Sequence, residues 1–257
     1  MLRKVITFLF FMPLVSLSIA AQELTDFSAN YLVMLNGIQA GDLKQRLSTN
    51  VDGSRTFSSA TQAQGIFAFF KPDLVEESST WLMVNNKIQP QHYLYQRSGG
   101  KKDKYLKLDF DWQSQQLSID DQNHPWQLAL EPYTLDKLVY QLALMKDLSK
   151  DKKQYHYRIA DGGKIKTYTI DFMDEEMVST PLGKIKTIKL KRLRDETSKR
   201  QTILWCTPTL NFLPVKLEHT EKDGTVFTAS LRRLKGISTE NSFIPSSSQV
   251  KSGFIPE

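Results

Sequence analysis

The chain has 257 residues, of which 40% are hydrophobic and 24% are charged, and its formal net charge is +6 at pH 7. This composition is ordinary for a globular protein that buries a core. The single cysteine, Cys206, excludes an intramolecular disulfide, and the charge excess is too small for a dedicated nucleic-acid binder, which concentrates basic residues on one face.

The first 20 residues have the layout of a secretory signal peptide. Arg3 and Lys4 form a short positive start, residues 5–20 carry no charge, and residues 18–20 read Ser-Ile-Ala, the small-residue pattern that precedes cleavage. A transmembrane anchor would need about 18 or more apolar residues, and Pro13 interrupts this run. We therefore expect cleavage near residue 20, export to the periplasm and no transmembrane anchor in the mature chain.

Most of the remaining chain has the pattern of β-strands joined by tight turns. Apolar and polar residues alternate, and pairs such as Asn36-Gly37 and Asp223-Gly224 are typical of hairpin turns. The predicted strands cover residues 31–35, 41–49, 54–65, 81–84, 88–97, 105–112, 155–160, 165–173, 184–194, 202–206, 212–219 and 226–234.

One segment has a helical period instead. Apolar residues spaced three and four apart predict a helix from Thr134 to Leu148, with Thr134 as its N-cap. The residues on the apolar face are Leu135, Leu138, Val139, Leu142, Met145 and Leu148, and we expect Leu138, Leu142 and Met145 to be buried.

A lone amphipathic helix among many strands indicates a mainly β fold. We expect a single curved antiparallel sheet of about ten to thirteen strands, a half-barrel or open barrel, with the helix packed on its concave face. Residues 21–235 are predicted to form one β-rich domain. The segment 236–257 has no period and is predicted to be a disordered tail.

Recognisable catalytic and metal-binding motifs are lacking in the sequence. It contains no G-x-S-x-G, H-E-x-x-H or Walker pattern, and its four histidines stand singly. Cys206 could act as a nucleophile with His219 as its base, but its apolar strand favours a buried, inert thiol. Asp109 and Asp111 could form an acid/base pair, but their polar surroundings favour solvated surface charge. We therefore expect no enzymatic activity, no cofactor and no metal.

The late strands carry two candidate binding surfaces. Apolar residues occur on both strand faces, so a bound apolar ligand could cover one face; the alternative is that the sheet closes on itself. The candidate apolar lining consists of Leu138, Leu142, Tyr168, Ile170, Phe172 and Trp205.

Basic residues in the same region would attract anionic headgroups or acidic glycans; the alternative is solvated lysines that protect a sheet edge. The candidate anionic-ligand surface consists of Lys184, Lys186, Lys189, Lys191, Arg192 and Arg194.

Several short motifs also occur in a characteristic order. They are Leu-Val-Tyr-Gln-Leu-Ala-Leu at 138–144, Asp-Gly-Gly at 161–163 before the strand with Tyr168, Thr-Pro-Leu-Gly at 180–183, Trp205, and Leu-Pro-Val at 213–215. In this order they resemble the exported bacterial family called domain of unknown function 3108, over about Phe27 to Leu234. The resemblance implies a signal peptide and a curved antiparallel sheet similar to the half-barrels of the Lol lipoprotein carriers. It implies no catalytic residues.

Together these patterns favour a periplasmic, non-enzymatic binding protein or carrier for an amphipathic envelope component, a lipid or a lipoprotein. The alternative is a structural or accessory protein of an envelope complex, which would bind a protein partner through its surface. An enzyme acting on envelope glycans is a third hypothesis, but the sequence shows no acid/base pair for it.

Overall fold

The computed structural model describes residues 24–65, 67–68, 74–100, 102–149, 152–194 and 198–245. The predicted signal peptide lies outside these residues, as does the last part of the predicted tail. Among the described helices, none has both the length and the apolar character needed to cross a lipid bilayer.

Fifteen strands of the described chain form one sheet, with one α-helix beside it. In chain order the strands are β1 (Phe27–Leu35), β2 (Ile38–Thr49), β3 (Arg55–Ala63), β4 (Leu74–Val84), β5 (Lys87–Ser98), β6 (Lys104–Asp111), β7 (Gln116–Asp121), β8 (Pro125–Ala129), β9 (Thr134–Asp136), β10 (Gln154–Ala160), β11 (Ile165–Thr180), β12 (Gly183–Leu193), β13 (Gln201–Thr207), β14 (Leu213–Thr220) and β15 (Val226–Lys235). The helix α1 spans Tyr140–Asp147, and a 3-10 turn spans Pro208–Leu210.

The chain builds this sheet outwards from its centre. β1 pairs with both β2 and β15, the strands β1 to β8 follow one another to one edge, and the strands β15 to β9 run back to the other edge. The two edge strands, β8 and β9, are therefore neighbours in sequence, joined by residues 130–133 alone. Because this connection is so short, the sheet has to curve until its edges approach each other.

Side-chain contacts show that the two ends of the sheet meet without pairing. Trp126 of β8 lies against Gly163 in the turn between β10 and β11, so closely that a Cβ atom on Gly163 would come 2.5 Å from the indole. Beside β9, the Lys137 ammonium lies 5.4 Å from the ring centre of Tyr95 on β5. β8 and β9 are not neighbours in the sheet order, so the sheet stays open.

The prediction of a single curved antiparallel sheet with one helix is confirmed apart from one parallel pairing, but the predicted strand count was too low. All twelve predicted strands are present, and β7, β8 and β9 were missed. Among the described strands, β9 is also the one that pairs in parallel with its neighbour, along Arg158–Ala160 of β10. It has three residues, too few for an alternation to be seen in the sequence.

The helix lies on the concave face as predicted, although it begins later. Gln141 accepts a hydrogen bond from Gln45 of β2 at 3.3 Å, and Lys146 donates one to Asn86 of the β4–β5 turn at 2.6 Å. On the other side, the ring of Tyr140 packs edge-on against Tyr168 of β11 at 5.4 Å. The helix therefore bridges strands from both halves of the sheet.

The predicted N-cap at Thr134 was wrong. Thr134 is buried in β9, where the parallel pairing with β10 holds it extended, and its hydroxyl donates to the carbonyl of Glu131 at 2.7 Å. The group that satisfies the N–H groups before the helix is the Asp136 carboxylate, whose Oδ1 accepts from Leu138 at 2.8 Å and from Val139 at 2.9 Å.

Asp136 also ties this segment to the opposite half of the sheet. Its side chain is fully buried, and its Oδ2 accepts a hydrogen bond from the Ser79 hydroxyl of β4 at 2.5 Å. Burial raises the pKa of the Asp136 carboxyl to about 6, and the negative charge of Glu77 acts in the same direction.

The first part of the predicted tail is ordered. Residues 236–245 are described, and Ile244 exchanges two backbone hydrogen bonds of 2.8 Å with Lys184 at the start of β12. Gly183 beside it has φ +126°, and a Cβ there would come 2.6 Å from the Ile244 carbonyl oxygen. A disordered tail is therefore not what the structure shows for these residues, because strand-like pairing supplies partners that the local pattern did not reveal.

Replacing Leu142 with Ala is expected to lower the free energy of unfolding by about 2–5 kcal/mol, the range for a core leucine, because its side chain is 0% exposed. Urea unfolding measures the change. Met177→Ala is the control, since Met177 is 51% exposed and its loss should cost less than about 0.5 kcal/mol. Equal stability of Leu142→Ala and the parent would show that this helix face is outside the core.

Asp136 should make stability fall as pH rises. Its pKa in the folded protein, about 6, lies above the ordinary value of 3.8, so the folded state binds this proton more tightly than the unfolded chain does. The resulting stability is present below about pH 4 and is lost as pH rises through about 6, a change of about 3 kcal/mol.

Asp136→Asn provides the test, because asparagine keeps an acceptor for the Leu138 and Val139 N–H groups and can donate to Ser79. Urea unfolding of both proteins at several pH values should show the variant gaining about 3 kcal/mol on the parent between about pH 4 and about pH 7. If the free energies of unfolding of the two proteins change with pH in the same way, Asp136 is not the group responsible for the pH dependence.

Candidate functional site

The register of β12 divides the predicted anionic-ligand surface between two faces of the sheet. Leu190 is fully buried, and Arg192 two residues on faces the same concave side, where its guanidinium lies 3.1 Å from the ring centre of Tyr168. Arg194 continues this alternation. Lys189 and Lys191 point to the opposite, outer face. The structure therefore does not bring the six predicted residues together.

Carboxylates of β11 compensate part of the positive charge of β12 on both of its faces. Lys186 lies 2.5 Å from the Glu175 carboxylate, and Lys189 lies 3.4 Å from that of Glu176. Lys184 is exposed beside them. The exposed pair of Lys186 and Glu175 agrees with the alternative interpretation of solvated lysines on the sheet surface.

The predicted apolar lining is mostly protein core. Four of its six residues, Leu138, Leu142, Tyr168 and Ile170, are 3% exposed or less and pack within the sheet and helix. Phe172 is half-buried, and the Lys153 ammonium lies 3.8 Å from its ring centre. These residues are thus covered by the protein's own strands and helix, although the sheet itself stays open.

Trp205 lies on the other face of the sheet from this core. Its ring is covered by Lys189 at 5.7 Å and Lys216 at 4.4 Å, its register partners on the two adjacent strands. Its indole N–H donates to the Glu176 carboxylate. Trp205 is therefore a buried outer-face residue held by charged side chains, not part of a concave lining.

The residues that were considered as catalytic candidates are buried or already paired with other groups of the protein. Cys206 is fully buried, and burial raises the pKa of its thiol well above the ordinary value. Asp109 is paired with His92 at 2.7 Å and with Lys107 at 2.8 Å, while Asp111 accepts backbone N–H groups of the following turn. Within the described ranges, no three His, Cys, Asp or Glu side chains converge in a way that could hold a metal ion.

A groove that the sequence did not reveal lies where the edge of β10 meets the helix. We call it the edge groove; its volume is about 620 Å³. It is lined by Lys87, Ile88, Tyr133, Leu135, Ala143, Asp147, His156, Tyr157, Arg158 and Thr167. The strand β9 covers only Arg158–Ala160 of β10, so among the described strands the segment 154–157 has no neighbour on this side.

The chemistry of the edge groove is mainly apolar. Ile88, Leu135 and the small side chain of Ala143 line its inner part, and Tyr133, 68% exposed with φ +61°, stands at its rim. The only sequence signals for this site are weak ones: an alanine at 143 within the helix, and an aromatic residue directly after Pro132.

The charged groups of the edge groove already have partners. Asp147 accepts a hydrogen bond from the Tyr157 hydroxyl at 3.2 Å and lies 3.8 Å from the Lys87 ammonium. Arg158 lies 3.0 Å from the Glu131 carboxylate. The charges at the rim are thus balanced, which suits an apolar ligand segment better than a strongly charged one.

The fold and this groove define a half-barrel protein with one helix inside its curve. The family described as "Protein of unknown function (DUF3108)" matches residues 30–232, so the chain belongs to that family, as its motifs predict. No functionally curated protein matches the chain.

The solved structures that are similar to this chain include the following two. One is the crystal structure of a β-barrel-like protein of domain of unknown function DUF1849 from Brucella abortus, with 10% identity, 84% of this chain and 98% of that chain covered, and a TM-score of 0.53. The other is a provisionally assigned lipoprotein from Parabacteroides distasonis, with 11% identity, 82% and 95% coverage and a TM-score of 0.34. The first likeness supports the fold alone.

Proposed function

We propose that this protein is a non-enzymatic binding protein or carrier of the bacterial cell envelope, which holds the apolar part of a lipid or lipoprotein in the edge groove. The observation that carries the proposal is the groove itself. Its volume of about 620 Å³ falls in the range of small-molecule sites, and its inner wall is apolar while its rim is polar.

The position of the groove also supports binding. It lies between the end of α1, the three-residue strand β9 and the β4–β5 turn, so its walls come from separate parts of the chain. An acyl chain placed against Ile88, Leu135 and Ala143 would remove apolar surface from water, which is the main source of affinity for such ligands. The signal-like residues 1–20 support a periplasmic location.

A second function, accessory protein of an envelope complex, is favoured by one specific observation. Among the described strands, residues 154–157 of β10 face the groove without a neighbouring strand. A partner could add an extended segment at such an edge through backbone hydrogen bonds, with its side chains entering the groove.

Protein purified from its own periplasm should distinguish the two functions when native mass spectrometry is combined with lipid extraction. A co-purifying lipid of defined mass supports the carrier, whereas a stoichiometric protein partner supports the accessory function. Recovery of the protein with neither a lipid nor a protein partner bound argues against the proposal that it carries a lipid or lipoprotein.

Ala143→Trp should block the edge groove. A dansyl-labelled undecanoic acid is expected to gain fluorescence on binding the parent protein, and the variant should bind it about tenfold more weakly, because losing contact with about 60 Å² of apolar surface costs about 1.4 kcal/mol. Ala129→Trp is the matched control, since Ala129 is exposed at the end of β8 and does not line the groove.

The proposal fails if the parent protein does not bind the probe, or if both tryptophan variants bind it as the parent does. Thermal unfolding of each variant verifies that a change in binding is not a loss of fold.

A further inference from the structure

A second cavity, of about 510 Å³, lies at the end of β12, where β11 extends past it. We call it the arginine pocket. Its lining residues are Asp161, Lys166, Thr167, Tyr168, Thr169, Arg192, Leu193, Arg194 and Ser198. Its character differs from that of the edge groove, because most of these side chains are polar or charged.

Arg192 is held in a fixed orientation in this pocket. Its guanidinium carbon lies over the Tyr168 ring, 3.1 Å from the ring centre. The ring is itself immobilised, because the Tyr168 hydroxyl donates to Asp161 at 3.0 Å and the ring packs against Tyr140 of the helix. Stacking of this kind leaves the N–H groups in the plane of the guanidinium available to a ligand.

Both arginines carry buried donors without acceptors. The Nε atoms of Arg192 and Arg194 are buried, and neither has a hydrogen-bond partner among the described residues. A buried N–H group without an acceptor is costly, and a bound water or anion is one explanation for such a group.

The pocket also holds like charges close together. Burial and the charges of Arg192 and Arg200 lower the pKa of Arg194. Among the described residues, two nearby carboxylates are each paired with another basic side chain: Asp161 with Lys166 at 3.0 Å, and Glu221 with Arg200 at 2.7 Å. His219 is also near, but its side chain carries no negative charge, and its Nδ1 is hydrogen-bonded to the Thr202 hydroxyl at 2.8 Å.

We propose that the arginine pocket is a binding site for a phosphate group, in which the guanidinium groups of Arg192 and Arg194 donate hydrogen bonds to the phosphate oxygens. Guanidinium groups bind phosphate through paired, charge-assisted hydrogen bonds, and here two of them converge with unused donors. The phosphate could belong to a lipid headgroup or to a small phosphorylated solute. The proposal does not depend on the edge groove, although Thr167 lines both cavities.

Titration calorimetry at low ionic strength, with inorganic phosphate as the probe, tests the site. Arg192→Gln and Arg194→Gln should each weaken phosphate binding about tenfold or more, the effect of losing a hydrogen bond to a charged group. The double variant Lys184→Gln/Lys186→Gln is the control, because it removes positive charge from the opposite end of the same strand. Its affinity should stay within about twofold of the parent.

A second arm identifies the source of the phosphate. Palmitoyl lysophosphatidic acid, below its micelle concentration, carries the same group on an acyl chain. Similar affinities for it and for inorganic phosphate indicate a free solute, whereas much tighter binding of the lipid, still lost in Arg194→Gln, indicates a headgroup. Ala143→Trp should leave the affinity for inorganic phosphate unchanged, which separates this site from the edge groove.

The site is refuted if the parent protein binds neither probe, or if the arginine variants bind as tightly as the parent. Equal losses in the arginine and lysine variants would also refute it, because they would reveal attraction by net charge alone. If Arg192→Gln unfolds, Arg194→Gln decides the result, since it leaves the stack of Arg192 on Tyr168 in place.

Discussion

The buried carboxylate of Asp136 is the interaction on which the rest of this architecture depends. One oxygen holds the turn that leads into the helix, and the other accepts a hydrogen bond from Ser79 on the far half of the sheet. The helix, β9 and β4 are thus fixed to one another at a point inside the curve. Because the group is desolvated, its pKa is raised to about 6, and the hydrogen bonds that it makes offset part of the cost of burying it.

The short connection between the two edge strands has the larger geometric consequence. Because residues 130–133 must join β8 to β9, the edges of a fifteen-stranded sheet come together. They meet through Trp126 and Gly163 rather than through backbone pairing, and β9 is too short to cover β10. The edge groove is the space left by this incomplete closure, so the same constraint that curves the sheet also creates its candidate binding site.

The two cavities have different physical characters, and this difference separates the two proposals. The edge groove has apolar inner walls and balanced charges at its rim, so its affinity would come from removing apolar surface from water. The arginine pocket has one guanidinium group over the Tyr168 ring and two buried Nε donors without partners, so its affinity would come from charge-assisted hydrogen bonds. An amphipathic, phosphorylated ligand combines both requirements.

The sequence by itself determined the mainly β class, all twelve predicted strands, the burial of Leu138, Leu142 and Met145, and the family, because alternation, turn pairs and helical spacing are local properties. It could not determine the late start of the helix or the strand β9, since both result from pairing with β10, which is distant in the sequence. Only the tertiary structure decided which face of each strand is the inner one. Lys189 and Arg192 are three positions apart in one strand and so lie on opposite faces, and the packing of the sheet places Lys189 outside and Arg192 on the helix side. The candidate sites depend on such long-range contacts, whose partners cannot be inferred from the pattern of one segment.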